Sequence, residues 1–197
     1  MCYQADLNYK LADFEKAIEL GLEQYQQLPP REKSELAKII GESYFNLEAY
    51  GEAIPYLEAY KGRAGKWTNT DYYQLGYAHY KEGDHQKAVD EFNKIIDGQD
   101  AVAQNAYYHL GYSYLQTGQK KFASNAFSKA SEYDYDRQVA EDALFNFAKL
   151  SMEVSQDPYN SAIENLEAYI QEYPNSPRVT EAYKYLSDLY LSTNNYR

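Results

Sequence analysis

The stretch "NAYYHLGYSYLQTGQKKFASNAFSKA", Asn105–Ala130, patterns as helix almost throughout, yet it sets Gly111 in the middle of its strongest apolar run. Glycine in a helix interior is less favourable than alanine by about 1 kcal/mol, because the free chain loses more backbone entropy and no side chain is buried in return. A compensating contact is required. A missing side chain lets a second helix approach closely, so a small partner is expected past the Gln116-Thr117-Gly118 break. Ala123, twelve residues on, fits that role.

The pairing recurs down the chain. Gly41 is followed at twelve residues by Ala53, Gly76 by Ala88 and Ala5 by Ala17. Successive first members lie 36, 35 and 35 residues apart, and Ala148 and Ser187 continue the series at 37 and 39. A period of this length corresponds to one helix-turn-helix unit. Ile40, Leu75, Leu110, Phe147 and Leu186 precede the small residue, and Tyr44, Tyr114 and Tyr190 follow it by three. On the second helix Leu57, Phe92, Phe127 and Leu166 follow the alanine by four, which places both on one face.

These residues resemble the tetratricopeptide repeat: a small residue after a leucine on the first helix, then an aromatic, then alanine and phenylalanine on the second. Alanine fills the second-helix slot five times in phase, at Ala17, Ala53, Ala88, Ala123 and Ala162. The resemblance implies an all-α, right-handed superhelical solenoid of antiparallel helix pairs, one array over residues 1–197. Its repeats fall at about 1–30, 31–66, 67–101, 102–136 and 137–176, with a partial repeat at 177–197 that supplies a terminal helix near Val179 to Ser192. Departures are local. His79 replaces the tyrosine of Tyr44 and Tyr114, Tyr60 and Tyr169 stand where the family usually has alanine, and "SQDPYN" lengthens the fifth inter-helix loop.

Composition suits a folded chain, at 44% hydrophobic and 25% charged residues. The 24 tyrosines are out of proportion, and an apolar ring with a polar tip suits the half-buried positions that an elongated array has in quantity. A formal charge of −11, with no basic run beyond Lys120-Lys121, argues against nucleic acid as a partner. No stretch approaches the apolar length of a membrane span, and "MCYQADLNYK" lacks the pattern of a signal peptide. The lone Cys2 precludes an internal disulfide. Both ends read as cut, the closing "STNNYR" resembling the turn and opening of a further helix, so a fragment of a longer repeat protein is expected.

Turn chemistry agrees with the helix pairs. Pro29-Pro30 separates the first two repeats, and Gly83-Asp84, Gly98 and Gly118 stand where helices stop. In "WTNTDY", Thr68 and Asp71 form a capping box and Trp67 staples onto Tyr72. Pro55 removes a bond to Gly51 and is expected to bend or loosen the start of its helix. "YPNSP", Tyr173 to Pro177, is a rigid connector.

Nothing assembles into catalytic or metal chemistry, and neither enzymatic activity nor a cofactor is expected. His79, His85 and His109 share no face and have no cysteine partners. "YDYD", Tyr133 to Asp136, lacks the glycine and closing glutamate of a calcium loop. Glu15 with Glu19 and Glu48 with Glu52 read as charged outer faces. No nucleophile set or phosphate-cradling loop is present.

A second stripe runs along the first helix of each repeat. Tyr73, Tyr77 and Tyr80 lie at i, i+4 and i+7, away from the face that meets the second helix. The next repeat copies them with Tyr108, Tyr112 and Leu115, the fifth has Phe145, Lys149 and Met152, and the second has Lys38, Glu42 and Phe45. In tetratricopeptide proteins such positions line the concave groove, so the resemblance implies a tyrosine-rich groove for a peptide or protein segment, with acidic surroundings favouring a neutral or basic one. Lysine and asparagine, which grip a C-terminal carboxylate in some members, are replaced by Tyr73, Tyr77, Tyr108 and Tyr112. The alternative is a structural spacer or self-associating segment whose tyrosines pack first helix on first helix. The stretch from Glu167 to Tyr190 resembles repeats of bacterial envelope proteins, giving a periplasmic or cell-envelope expectation, with the cytoplasm as alternative.

Overall fold

A computed structural model describes residues 3–95, 98–155 and 157–194. Among them are eleven α-helices and no β-strand, only an isolated bridge between Arg63 and Lys66. Cys2 and the last three residues of "STNNYR" lie outside the described residues. The chain divides into two compact units, residues 1–97 and 98–197.

The first unit holds α1 (Tyr3–Lys10), α2 (Phe14–Tyr25), α3 (Pro30–Asn46), α4 (Tyr50–Ala59), α5 (Asn69–Lys81) and α6 (His85–Phe92). Each helix packs on the next, and the first helices of adjacent pairs also touch, α1 on α3 and α3 on α5. The second unit holds α7 (Ala101–Gln116), α8 (Lys120–Ser131), α9 (Arg137–Val154), α10 (Pro158–Glu172) and α11 (Val179–Asn194), packed in the same manner with α7 on α9. In place of a central core there are successive clusters at the helix-pair contacts, such as Ala5, Leu36 and Ile40, or Ala123, Phe127, Ala130 and Leu150.

The reason for the buried glycine differs from the one its spacing suggests. A Cβ built on Gly111 would stand 2.7 Å from Cε1 of Phe127, and the three atoms nearest to it all belong to that ring rather than to Ala123. Gly76 meets Phe92 in the same way at 2.8 Å, and Gly41 meets Leu57 at 2.9 Å. The small residue is a seat for the large side chain sixteen residues later. Phe127 is fully buried and Phe92 nearly so, and burying such a ring contributes roughly 1.5–3 kcal/mol, which offsets the glycine. The alanines are fully buried one turn earlier on the same face.

Four helix pairs turn on one backbone device. Ala12, Glu48, Gly83 and Gly118 all have positive φ, at 59°, 58°, 81° and 75°. In each case the following N–H reaches back five residues, as from Asp84 to His79 O at 2.9 Å and from Gln119 to Tyr114 O at 2.8 Å, closing a Schellman motif. Side-chain caps then start the next helices, Asp13 for α2 and Asp84 for α6. The Thr68–Asp71 capping box forms, and Trp67 lies 5.2 Å from Tyr72. Pro55 does not interrupt α4; its ring is exposed and the helix runs through it to Ala59.

A polar residue seven positions before the small one ties down the connection to the next helix pair. Gln104, fully buried, donates to Tyr133 O at 3.2 Å and Asp136 O at 2.9 Å and accepts from Asp136 N–H at 2.7 Å. Ser34 accepts from Lys61 N–H at 2.9 Å, and Glu141 from the hydroxyls of Ser176 and Tyr169. Tyr169, in a slot expected to hold alanine, is fully buried through this contact.

Candidate functional site

In the first unit α5 aims Tyr73, Tyr77 and Tyr80 along one face, and α3 sets Lys38, Glu42 and Phe45 beside them. The rings meet. Phe45 lies 5.8 Å from Tyr77, Tyr50 at the start of α4 lies 5.4 Å from Phe45 and 5.6 Å from Tyr77, and Tyr77 lies 5.8 Å from Tyr73 and 6.1 Å from Tyr80. Lys81 caps the cluster, 5.6 Å above the Tyr50 ring. All five rings are half-buried, so each packs on its neighbours and keeps an edge toward solvent. Burial pushes the Tyr73 hydroxyl well above its usual range, so it stays protonated.

Lys38 and Glu42 are engaged within the fold. Lys38 pairs with Asp71, lies 3.6 Å from Glu42 and sits 4.7 Å over the Tyr60 ring. Asp71 is buried, which raises its pKa, but hydrogen bonds from Lys38 and Thr68 outweigh burial and hold the carboxyl below its usual range. Glu42, also buried, faces Tyr9 on α1, whose hydroxyl is pushed above its usual range by burial and then by this carboxylate. A cleft of about 560 Å³ opens beside them, lined by Tyr3, Tyr9, Glu35, Lys38 and Glu42 among others.

In the second unit the tyrosine hydroxyls converge on one acid. Tyr108 and Tyr112 donate to Oδ2 of Asp142 on α9 at 2.8 and 2.6 Å, Asn146 donates to the same oxygen at 3.0 Å, and Arg178 pairs with the other oxygen. Burial raises the Asp142 pKa, yet Tyr112, Tyr108 and Arg178 together depress it. Phe145 is a core residue, only 4% exposed, with its ring 5.1 Å from that of Tyr169 and Arg178 and Lys149 lying across it. That burial corrects its expected place on a groove surface: Tyr169 and Leu166 of α10, Leu186 of α11 and Arg178 enclose it. Lys149 is half-buried, 3.9 Å from Glu181.

The stripe residues are therefore brought together within each unit. Asp71, read in the sequence only as a helix cap, completes one site, and Asp142, Asn146, Arg178 and Tyr50, which were not singled out, complete the rest. The partners of the four polar residues lie about one repeat away, so repeat spacing was the available signal. His79 is buried, with its pKa lowered by burial and then by Lys87, and lies 3.8 Å from Glu58. Among the described residues no group of three or more His, Cys, Asp or Glu could hold a metal ion, and no helix is long and apolar enough to cross a membrane.

Two tetratricopeptide repeat signatures match the chain, at residues 73–137 and 142–176, together half of its length. The chain belongs to the tetratricopeptide repeat family. Solved structures agree in fold. The chain is similar to MamA, at 20% identity and a TM-score of 0.66 over 86% of this chain and 94% of that one. It is similar to a tetratricopeptide repeat protein from Parabacteroides merdae, at 19% and 0.61 over 98% of this chain and 72% of that one. A repeat protein from Bacteroides fragilis gives 14% and 0.50 over 96% of each chain. No curated protein matches the sequence. Tetratricopeptide repeat proteins are in general non-catalytic scaffolds for protein partners.

Proposed function

We propose that this repeat protein is a non-catalytic interaction scaffold whose first-helix faces hold a peptide or protein segment. Tyr73, Tyr77, Tyr80, Tyr108 and Tyr112 supply aromatic contacts, with Lys38, Glu42, Phe45 and Lys149 beside them. The observation that carries the reading is the run of half-buried rings from Phe45 through Tyr50 and Tyr77 to Tyr73 and Tyr80. Rigid rings already braced by their neighbours offer contact area at low entropic cost, which is why tyrosine is frequent among binding hot spots. The charge of −11 favours a segment that is neutral or basic over most of its length.

The spacer reading keeps one observation in its favour: Asp142 takes both hydroxyls of Tyr108 and Tyr112, so these side chains also join α7 to α9. Photo-crosslinking separates the two. A benzoylphenylalanine at position 77 should capture a discrete protein in source cells, while the same group at exposed Glu52 on α4 should not. Equal or absent capture at both positions supports the spacer. A periplasmic or cell-envelope location belongs to the same proposal, with fractionation of the source cells as its check.

A further inference from the structure

Nine of the 19 lysines and arginines of this acidic chain have a carboxylate at ion-pair distance among the described residues. Lys10, Lys16, Lys87, Lys94 and Lys129 pair with a carboxylate three or four residues away, and Lys120, Lys149 and Arg178 reach one on another helix. The α4–α5 connection concentrates cations that have none. "KGRAGKW", Lys61–Trp67, and the start of α3 gather Arg31, Lys38, Lys61 and Arg63 around a cleft of about 810 Å³. Lys66 is bridged to Arg63 through the backbone. Of these five, only Lys38 is ion-paired; Arg31, Lys61, Arg63 and Lys66 have no carboxylate at ion-pair distance among the described residues. One acid, Glu35, lines the cleft.

The loop that carries these charges is fixed in shape. Lys61 N–H donates to buried Ser34 Oγ at 2.9 Å, Gly65 N–H to Gly62 O at 3.2 Å, and Trp67 Nε1 to Tyr60 O at 3.0 Å. Gly62 has φ +80°, and a Cβ there would lie 2.5 Å from the Lys66 carbonyl, so the tight approach needs glycine. Ala64 adopts φ 54° without being glycine. The backbone bonds thus fix the loop from which Lys61, Arg63 and Lys66 project, and an anion at the cleft meets several exposed cations at once.

We propose that this cleft is an anion-accepting subsite for a short run of Asp or Glu side chains in a partner protein. The neighbouring cleft shares Arg31, Glu35 and Lys38 but adds Asp6, Glu32 and Glu42. A nucleic acid, charged at every residue, would carry its phosphates into those carboxylates. A protein segment that is acidic at one point and neutral or basic beyond it suits both clefts. The inference goes beyond the aromatic-face reading and stands without it.

Trp67, the only tryptophan of the chain, lies in the loop and reports on the test. Pentaglutamate, pentaglutamine and pentathymidylate are titrated into the full chain, followed by Trp67 fluorescence and calorimetry. Saturable binding of pentaglutamate is expected, absent for pentaglutamine and weakened as salt rises. Lys61→Glu with Arg63→Glu should weaken it by about tenfold or more while the melting curve is retained. Lys61→Gln with Arg63→Gln serves if charge reversal disturbs folding. Equal binding of pentaglutamine, or unchanged pentaglutamate affinity in a folded variant, overturns the proposal. Tighter binding of pentathymidylate with the same dependence on Lys61 and Arg63 overturns it in favour of nucleic acid.

Discussion

The ring of Phe127 occupies the space that a side chain on Gly111 would need, 2.7 Å from the position of its missing Cβ. Phe127 is fully buried, so its ring has little freedom to withdraw. Gly111→Ala gains helix propensity of about 1 kcal/mol but overpacks the contact by about 1–3 kcal/mol. Net destabilisation in urea melts is the expected outcome, larger for Gly111→Leu and partly relieved in Gly111→Ala with Phe127→Leu. An alanine variant more stable than the parent would contradict the seat.

Gln104 is a second buried determinant. Replacing it with leucine leaves Asp136 N–H and the Tyr133 carbonyl of the α8–α9 connection without their side-chain partner, while Asp136 O keeps Ala140 N–H at 3.0 Å. Each unsatisfied buried group costs about 1–3 kcal/mol, so Gln104→Leu should lower stability by about 2 kcal/mol or more despite its greater hydrophobicity. Hydrogen exchange would show the Asp136 amide losing protection first.

Glu48 holds a left-handed backbone that glycine adopts without penalty. Glu48→Gly should leave the melting temperature unchanged or raise it, by up to about 1 kcal/mol of stability, although glycine within a helix does the opposite. A clear loss would show that the Glu48 side chain contributes more than its backbone strain removes.

The Asp142 site sets a pH dependence. Its pKa is lower folded than unfolded, so the folded state binds fewer protons and the stabilisation is present above the unfolded carboxyl value, about 3.9. It is lost as pH falls through the depressed folded value. Asp142→Asn should therefore be less stable than the parent at neutral pH, with the gap closing in strong acid. A gap of constant size from neutral to acid pH would contradict the assignment.

The repeat phase was legible because its signals are local: a small residue, an aromatic, and an alanine at fixed offsets. The Thr68–Asp71 box was legible for the same reason. The partner of Gly111 was not, since the twelve-residue spacing to Ala123 and the sixteen-residue spacing to Phe127 recur with equal regularity. Only geometry shows which of the two lies nearest. The turns at Ala12 and Glu48 escaped notice because neither is glycine, and periodicity was the only trace of them. Contacts such as Lys38 with Asp71 and Tyr108 with Asp142 join residues 33 and 34 positions apart, and stacking of neighbouring pairs creates them. Basic residues spread from Arg31 to Lys66 formed no run in the sequence, so the cleft they line appeared only once α3 and the α4–α5 connection were in place.

The central claim, that half-buried tyrosines present a binding face, is tested by measuring the affinity and melting curve of Tyr77→Ala with Tyr80→Ala against the partner captured at position 77. Aromatic anchors at a hot spot contribute about 2 kcal/mol or more each, so affinity should fall by more than about a hundredfold while unfolding remains cooperative. Lost stability with unchanged affinity would contradict the claim and assign both rings to packing alone.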